Sequence, residues 1–180
     1  FIKSEDNKII KNCKIAGKEI SYNNIIDVDS GLSCLAEFDE PTCIIVKHTN
    51  PCGVACAKNI NIAFKKSYQS DPKSAFGGII FLNRNVDSDL SKKIVSNFFE
   101  MIVAPDFNKD SLEILTKRKN LILLKIPKTS KQNVESRSTL FGMLYQNKDL
   151  VPINKSFLSL VSKQKSKSKL LEDLIFSVKV

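Results

Sequence analysis

The chain has 180 residues, 42% hydrophobic and 26% charged, with 6 Gly, 6 Pro, 5 Cys and a single His. That length suits one globular domain, and the composition excludes a disordered chain, a collagen-like repeat and a small disulfide-stapled scaffold. No apolar run approaches the ~18 residues a membrane span needs, and one histidine excludes a multi-histidine metal centre.

The formal charge is +9, from 28 Lys and Arg against 19 Asp and Glu, and most of the excess lies beyond Glu100. A basic half fits nucleic acid, an anionic surface or a phosphorylated substrate. Only Arg84, Arg118 and Arg137 are arginines, however, and lysines scattered among Ile, Asn and Ser read as solvated surface in preference to a nucleic-acid face. Cys13, Cys34, Cys43, Cys52 and Cys56 are odd in number and irregular in spacing, which points to reduced thiols in a cytoplasm. The chain starts at Phe1 with no targeting segment, and reads as a fragment or a processed piece.

In chain order, residues 1–20 are polar and read as an irregular lead-in or an edge hairpin. From Asp27 to Phe38 the apolar residues recur at helical spacing, with aspartates in front as candidate N-caps. Cys43–Val46 reads as a buried strand, followed by a turn-rich stretch Thr49–Gly53. A short helix through Ile60, Ala63, Phe64 and Tyr68 is stopped by Asp71-Pro72. Gly78–Leu82 is a strand, Asp87–Phe99 a helix with Leu90, Ile94, Val95 and Phe98 on one face, and Met101–Ala104 a strand. Leu112–Lys119 is a helix capped by Asp110 or Ser111, and Leu121–Leu124 a further strand. This alternation predicts an α/β layered fold, with a mixed or mainly parallel sheet and flanking helices. In such sheets the functional loops tend to lie at the strand carboxyl ends.

Beyond Ile126 the pattern weakens. Residues 127–139 read as a long surface loop, Leu140–Tyr145 as one more strand, and Lys163–Lys169 as a linker or the polar start of a helix. Leu170, Leu171, Leu174, Ile175 and Val178 then form one face of an amphipathic helix. The expected division is a first α/β subdomain over residues 1–126, then residues 127–180 as basic loop, short strand and terminal helix.

Lys47 and His48 follow a buried strand and lead into Asn50-Pro51-Cys52-Gly53. A histidine titrates near neutrality and suits proton transfer, and an ammonium beside it can stabilise an oxyanion; the alternative is a loop histidine in ordinary hydrogen bonding. A zinc deaminase pattern fails here. Cys52 and Cys56 are one residue too far apart, and no glutamate follows His48 at the required place. Ser74-Ala75-Phe76-Gly77-Gly78 is a glycine turn before a strand. Phe76 there could stack on a planar ring, or simply fill the core. Glu100 reads as a surface carboxylate, Asn23 and Asn24 as a plain turn, and Cys52 and Cys56 as buried spectators.

Taken in order, these segments are more specific than any one alone. Ser21-Tyr22-Asn23-Asn24, Val46 to Ala55 (VKHTNPCGVA), Asp71 to Ile80 (DPKSAFGGII) and Ile102-Val103-Ala104-Pro105 closely resemble blocks of the AICAR transformylase family. That family is the formyltransferase portion of a bifunctional purine biosynthesis protein that also carries an IMP cyclohydrolase domain. The resemblance implies a cytidine-deaminase-like α/β fold without zinc or other metal. It also implies formyl transfer from 10-formyltetrahydrofolate to AICAR, giving FAICAR, in a cytoplasmic homodimer that binds neither nucleic acid nor membrane. It makes Lys47 and His48 catalytic, His48 managing the amine proton and Lys47 the charge on the formyl oxygen. It places Asn24, Gly77 and Glu100 against the AICAR nucleotide and Phe76 at the folate pocket. Nothing in the chain corresponds to the cyclohydrolase domain or to the later transformylase blocks. The resemblance therefore covers the first of two similar halves, and an alternative expectation is an incomplete nucleotide-binding fragment that needs the missing half in trans.

Overall fold

The computed structural model describes residues 12–127, 133–151, 156, 158–159, 161–163 and 168–180. The chain divides into two compact units, Phe1–Thr129 and Ser130–Val180. The first contains β1 (Lys14–Ala16), α1 (Tyr22–Leu35), β2 (Thr42–Lys47), β3 (Asn50–Cys56), α2 (Ile60–Ser70), α3 (Pro72–Ala75), β4 (Ile79–Leu82), α4 (Ser88–Val95), β5 (Met101–Ala104), α5 (Lys109–Leu115) and β6 (Ile122–Lys125). Its six strands form one sheet in the order β1-β6-β5-β4-β2-β3. The fold is thus α/β with a mixed sheet: β4, β5 and β6 run parallel, while β2 opposes β4, β3 opposes β2 and β1 opposes β6. β1 pairs antiparallel with the distant β6; residues 1–11, the larger part of the stretch read as an irregular lead-in or an edge hairpin, lie outside the described residues.

Successive strand residues face opposite sides of a sheet, and here both sides are covered. Cys43, Ile45, Ile80, Leu82, Ile102 and Leu123 share a core with Ile60 and Phe64 of α2, Leu90 and Ile94 of α4 and Leu115 of α5. On the opposite face α1 packs so closely that a Cβ on Gly31 would lie 2.3 Å from the Phe81 ring. Burial on both faces explains why β4 and β5 are unbroken apolar runs, with no residue more than 2% exposed.

Several boundaries differ from the sequence expectation. α1 begins at Tyr22, five residues before Asp27, because Ser21 and Asn24 form a reciprocal cap. The Ser21 hydroxyl accepts from the Asn24 N–H (3.1 Å), and the Asn24 Oδ1 accepts from the Ser21 N–H (3.0 Å). The aspartates are therefore not caps. The stretch read as turn-rich, Thr49–Gly53, is mostly strand: β2 and β3 form a hairpin whose turn is His48-Thr49 alone. Pro51 is tolerated because β3 lies on the sheet edge and bulges there.

α4 ends at Val95, so Phe98 leaves the helix and is 53% exposed, not on its apolar face. α5 starts after Asn108; Ser111 is no cap but is buried, its hydroxyl 2.7 Å from that of Ser91.

In the second unit β7 (Val134–Thr139) and β8 (Gly142–Asn147) form a hairpin, and α6 spans Ser168–Lys179. The loop expected over 127–139 is therefore strand from Val134, and the strand expected at Leu140 starts two residues later. Leu140 and Phe141 form the turn, with Gly142 at φ +117° behind it. Only its second strand shows in a sequence reading, since both strands are almost wholly exposed and carry no buried face. Residues 128–132 of that loop and 164–167 of the lysine-rich segment lie outside the described residues.

Candidate functional site

Because β2 runs against β4, its carboxyl end falls beside the amino ends of β4 and β5. Lys47 therefore reaches the loop before β4, at Phe76, while His48 in the hairpin turn and Glu100 before β5 lie at the same edge of the sheet. The candidate residues gather at the amino edge of the parallel trio, opposite to the carboxyl-end tendency expected from the fold class.

At the hairpin turn His48 has φ 55° and Thr49 φ 63°. Two-residue hairpin turns favour φ > 0 at both positions and normally use Asn-Gly or similar pairs. A left-handed non-glycine residue costs on the order of 1–3 kcal/mol, and a β-branched one is a true outlier. The turn is held from outside by α1. The Asp27 Oδ1 accepts from the Thr49 N–H at 2.7 Å, and the Ser30 hydroxyl donates to the Thr49 carbonyl at 2.7 Å. Within the turn, the Thr49 hydroxyl (2.6 Å) and the Asn50 side-chain amide (2.9 Å) both donate to the His48 carbonyl. The His48 imidazole is exposed.

The half-buried Lys47 ammonium donates to the Phe76 carbonyl at 2.8 Å. An ammonium has three N–H donors, so this bond anchors the side chain and leaves capacity for an anionic ligand. The Phe76 loop is shaped by its own sequence. Asp71 caps α3, its Oδ1 accepting from the Ser74 N–H (3.0 Å) and its Oδ2 from the Ser74 hydroxyl (2.5 Å), with Pro72 at the first helical position. These bonds, the Ser74 hydroxyl foremost, hold the Asp71 carboxyl below its usual range. Gly77 then takes φ +74°, which reverses the chain. Its N–H donates to the Phe98 carbonyl (2.8 Å), and the Glu100 N–H to the Gly78 carbonyl (3.0 Å), which stitches the two loops together. The Phe76 ring, 61% exposed, packs on Phe98 with centroids 5.1 Å apart.

Asn24, read as a plain turn, is a buried residue in the first turn of α1. Glu100 pairs with Lys18 at 2.7 Å. The Lys18 hydrogen bond, then one from the Asn24 side chain, holds the Glu100 carboxyl below the usual range against the opposing effect of burial. A cleft of about 340 Å³ opens beside this pair, lined by Lys18, Phe98, Glu100, Lys117 and Arg118. A second of about 350 Å³ lies across Phe98, lined by Tyr68, Phe76, Asn97 and Arg118. Sequence reasoning missed Lys18, Asp27, Ser30 and Phe98. The first turn of α1 held the signal for two of them: once Ser21 and Asn24 are seen as a cap, Asn24, Asp27 and Ser30 fall at three-residue steps along one helix face.

The cysteines do not join this site. The Cys52 thiol donates to the Ile45 carbonyl and burial raises its pKa; that of Cys34 is raised to about 11 and that of Cys43 to about 12, in both cases mainly by burial. The Cys56 sulfur lies 3.1 Å from the Thr42 hydroxyl. Among the described residues no group of three His, Cys, Asp or Glu side chains is placed to hold a metal ion, and no helix is long and apolar enough to cross a membrane.

Fold and site together define an α/β domain that presents an ammonium, an imidazole, a carboxylate and an exposed aromatic ring at one sheet edge. The chain belongs to the AICARFT/IMPCHase bienzyme family, which it matches over residues 1–180. It is 45% identical over 178 residues to the bifunctional purine biosynthesis protein PurH of Caldicellulosiruptor bescii, covering 98% of this chain and 34% of that protein. It is 42% identical over 167 residues to PurH of Thermoanaerobacter sp., covering 93% and 33%. The chain thus spans about a third of the length of these relatives. Among solved structures, dCMP deaminase from the cyanophage S-TIM5 covers 58% of this chain and 98% of its own at TM-score 0.40 and 11% identity. RibD of Acinetobacter baumannii covers 55% and 33% at TM-score 0.41 and 11% identity.

Proposed function

We propose that this chain carries the lysine–histidine part of a formyltransferase site of purine (IMP) synthesis, moving a formyl group from 10-formyltetrahydrofolate to the 5-amino group of AICAR. The observation that supports this most is the Lys47 ammonium seated on the Phe76 carbonyl, with the His48 turn, Gly77 and Glu100 at the same sheet edge, in a chain whose family is a formyltransferase–cyclohydrolase bienzyme. In the reaction the amine nitrogen attacks the formyl carbon, the bond from that carbon to the folate N10 breaks, and N10 takes up a proton. His48 accepts the proton that the amine must lose. The Lys47 ammonium, anchored on the Phe76 carbonyl, stabilises the charge that gathers on the formyl oxygen. Asn24, Gly77 and Glu100 contact the nucleotide, and Phe76 offers its exposed face to the folate ring. No step calls for a metal. The setting proposed for the intact protein is a cytoplasmic homodimer, in keeping with five cysteines outside any disulfide among the described residues.

A second reading follows from length. At a third of its relatives' span, the chain is a nucleotide-binding half-site that turns over only with the rest supplied in trans. Single-turnover assays for FAICAR, on the chain alone and with the remaining part of a relative added, decide between the two. Product from the chain alone, absent with His48→Ala, supports the first. Product only on addition supports the second, and none in either mixture, with both parts folded and associated, contradicts both.

A further inference from the structure

We propose that Asp27 is a positioning residue for His48: its carboxylate, with the Ser30 hydroxyl, clamps the Thr49 peptide groups and keeps the two-residue turn in the left-handed conformation that projects the imidazole. This rests on His48 as the group that handles the proton, and adds a residue the family motifs do not supply.

The turn cannot hold itself by local preference. His48 and Thr49 both occupy the left-handed region, and neither is glycine, asparagine or aspartate. The hairpin ladder fixes only its ends, through the Lys47–Asn50 pair. Bonds within the turn converge on the His48 carbonyl and leave the Thr49 N–H and carbonyl to be satisfied elsewhere. Both are satisfied by one helix, by side chains three residues apart on α1. A bond from an N–H to an ionised carboxylate is about twice as strong as a neutral one, so the Asp27 contact is the stronger half of the clamp. α1 is in turn fixed at its start by the Ser21–Asn24 cap.

The chain has a single histidine, which makes its imidazole resonances an unambiguous probe. In the wild type they should form one set, and the Thr49 amide should exchange slowly. Asp27→Ala should speed Thr49 exchange by on the order of tenfold to a hundredfold, as expected for loss of a charge-assisted bond, and split or broaden the His48 signals, while core amides such as that of Ile80 stay protected. Asp27→Asn, whose side-chain oxygen still accepts, should keep one set of signals and most of the protection. Asp27→Ala with Thr49→Gly should regain a single set, because glycine adopts positive φ without cost. Where turnover is measurable, Asp27→Ala should lower kcat about tenfold with KM for AICAR within about threefold. Unchanged Thr49 exchange and His48 signals in Asp27→Ala would overturn the proposal, as would Asp27→Asn behaving like Asp27→Ala. If neither the wild type alone nor its mixture with the remaining part of a relative turns over, the exchange results still decide the clamp, and the formyltransferase reading fails alone.

Discussion

Glu100 illustrates how a residue that looks ordinary in sequence gains a role from its neighbours. It is one carboxylate ahead of an apolar strand, and nothing local marks it. The fold brings Lys18 from the β1–α1 connection and Asn24 from α1 onto it, and both favour its ionised form. A carboxyl whose folded pKa lies below its unfolded value, ordinarily about 4.3, adds stability above that value and loses it as pH falls through the folded pKa. Glu100→Gln should therefore flatten the acid limb of the urea midpoint plotted against pH, in the range below about pH 4.3. Identical limbs in the two proteins would mean that the Lys18 contact does not favour the carboxylate. Lys47 and His48 were legible because they sit directly behind a buried apolar run. Asp27 and Ser30 were not, because their partner is a turn 19 to 22 residues away and their value lies in the backbone they hold.

The hairpin β2–β3 positions the histidine, and its sequence misleads for a physical reason. Asn, Pro and Gly together usually signal a turn, yet here each answers a different demand of an edge strand. Asn50 closes the turn, Pro51 sits at the bulge, and Gly53 lets α2 approach. A Cβ on Gly53 would lie 2.2 Å from the Ser67 carbonyl oxygen, which is helix backbone and cannot swing away, while the Ser67 hydroxyl donates to the Gly53 carbonyl at 2.9 Å. Gly53→Ala should lower stability by about 1–3 kcal/mol, the usual range for overpacking, read as a shift in the urea midpoint. An unshifted midpoint would contradict the close approach of α2 to β3. By contrast the core strands β2, β4, β5 and β6 were visible in the sequence as short β-branched and apolar runs, since burial on both faces leaves no other pattern. The hairpin β7–β8 was only half visible, because strands exposed on both faces carry no periodic signal.

For the whole molecule, what matters is which edge of the sheet faces the chemistry. The sequence predicts strands alternating with helices, but not that β2 enters the sheet antiparallel to β4, since direction depends on long-range pairing. That single reversal carries Lys47 and His48 to the amino ends of β4 and β5 and away from the carboxyl ends, where Asn83, Arg84 and Asp106 lie. A second property belongs to this scale. Leu170, Leu174 and Val178 of α6 recur at four-residue steps and are 48–57% exposed. They predict concentration-dependent association of the chain, reduced by Leu174→Glu, in light scattering; a clean monomer at high concentration would contradict it.

The location of the site at the amino edge is tested most directly by titrating AICAR into the isotopically labelled chain and mapping backbone amide shifts. The account predicts perturbations at Asn24, Lys47–Asn50, Phe76–Gly78 and Phe98–Glu100, together with the His48 ring. Perturbations centred on Asn83, Arg84 and Asp106 instead, with the His48 ring unmoved, would contradict it.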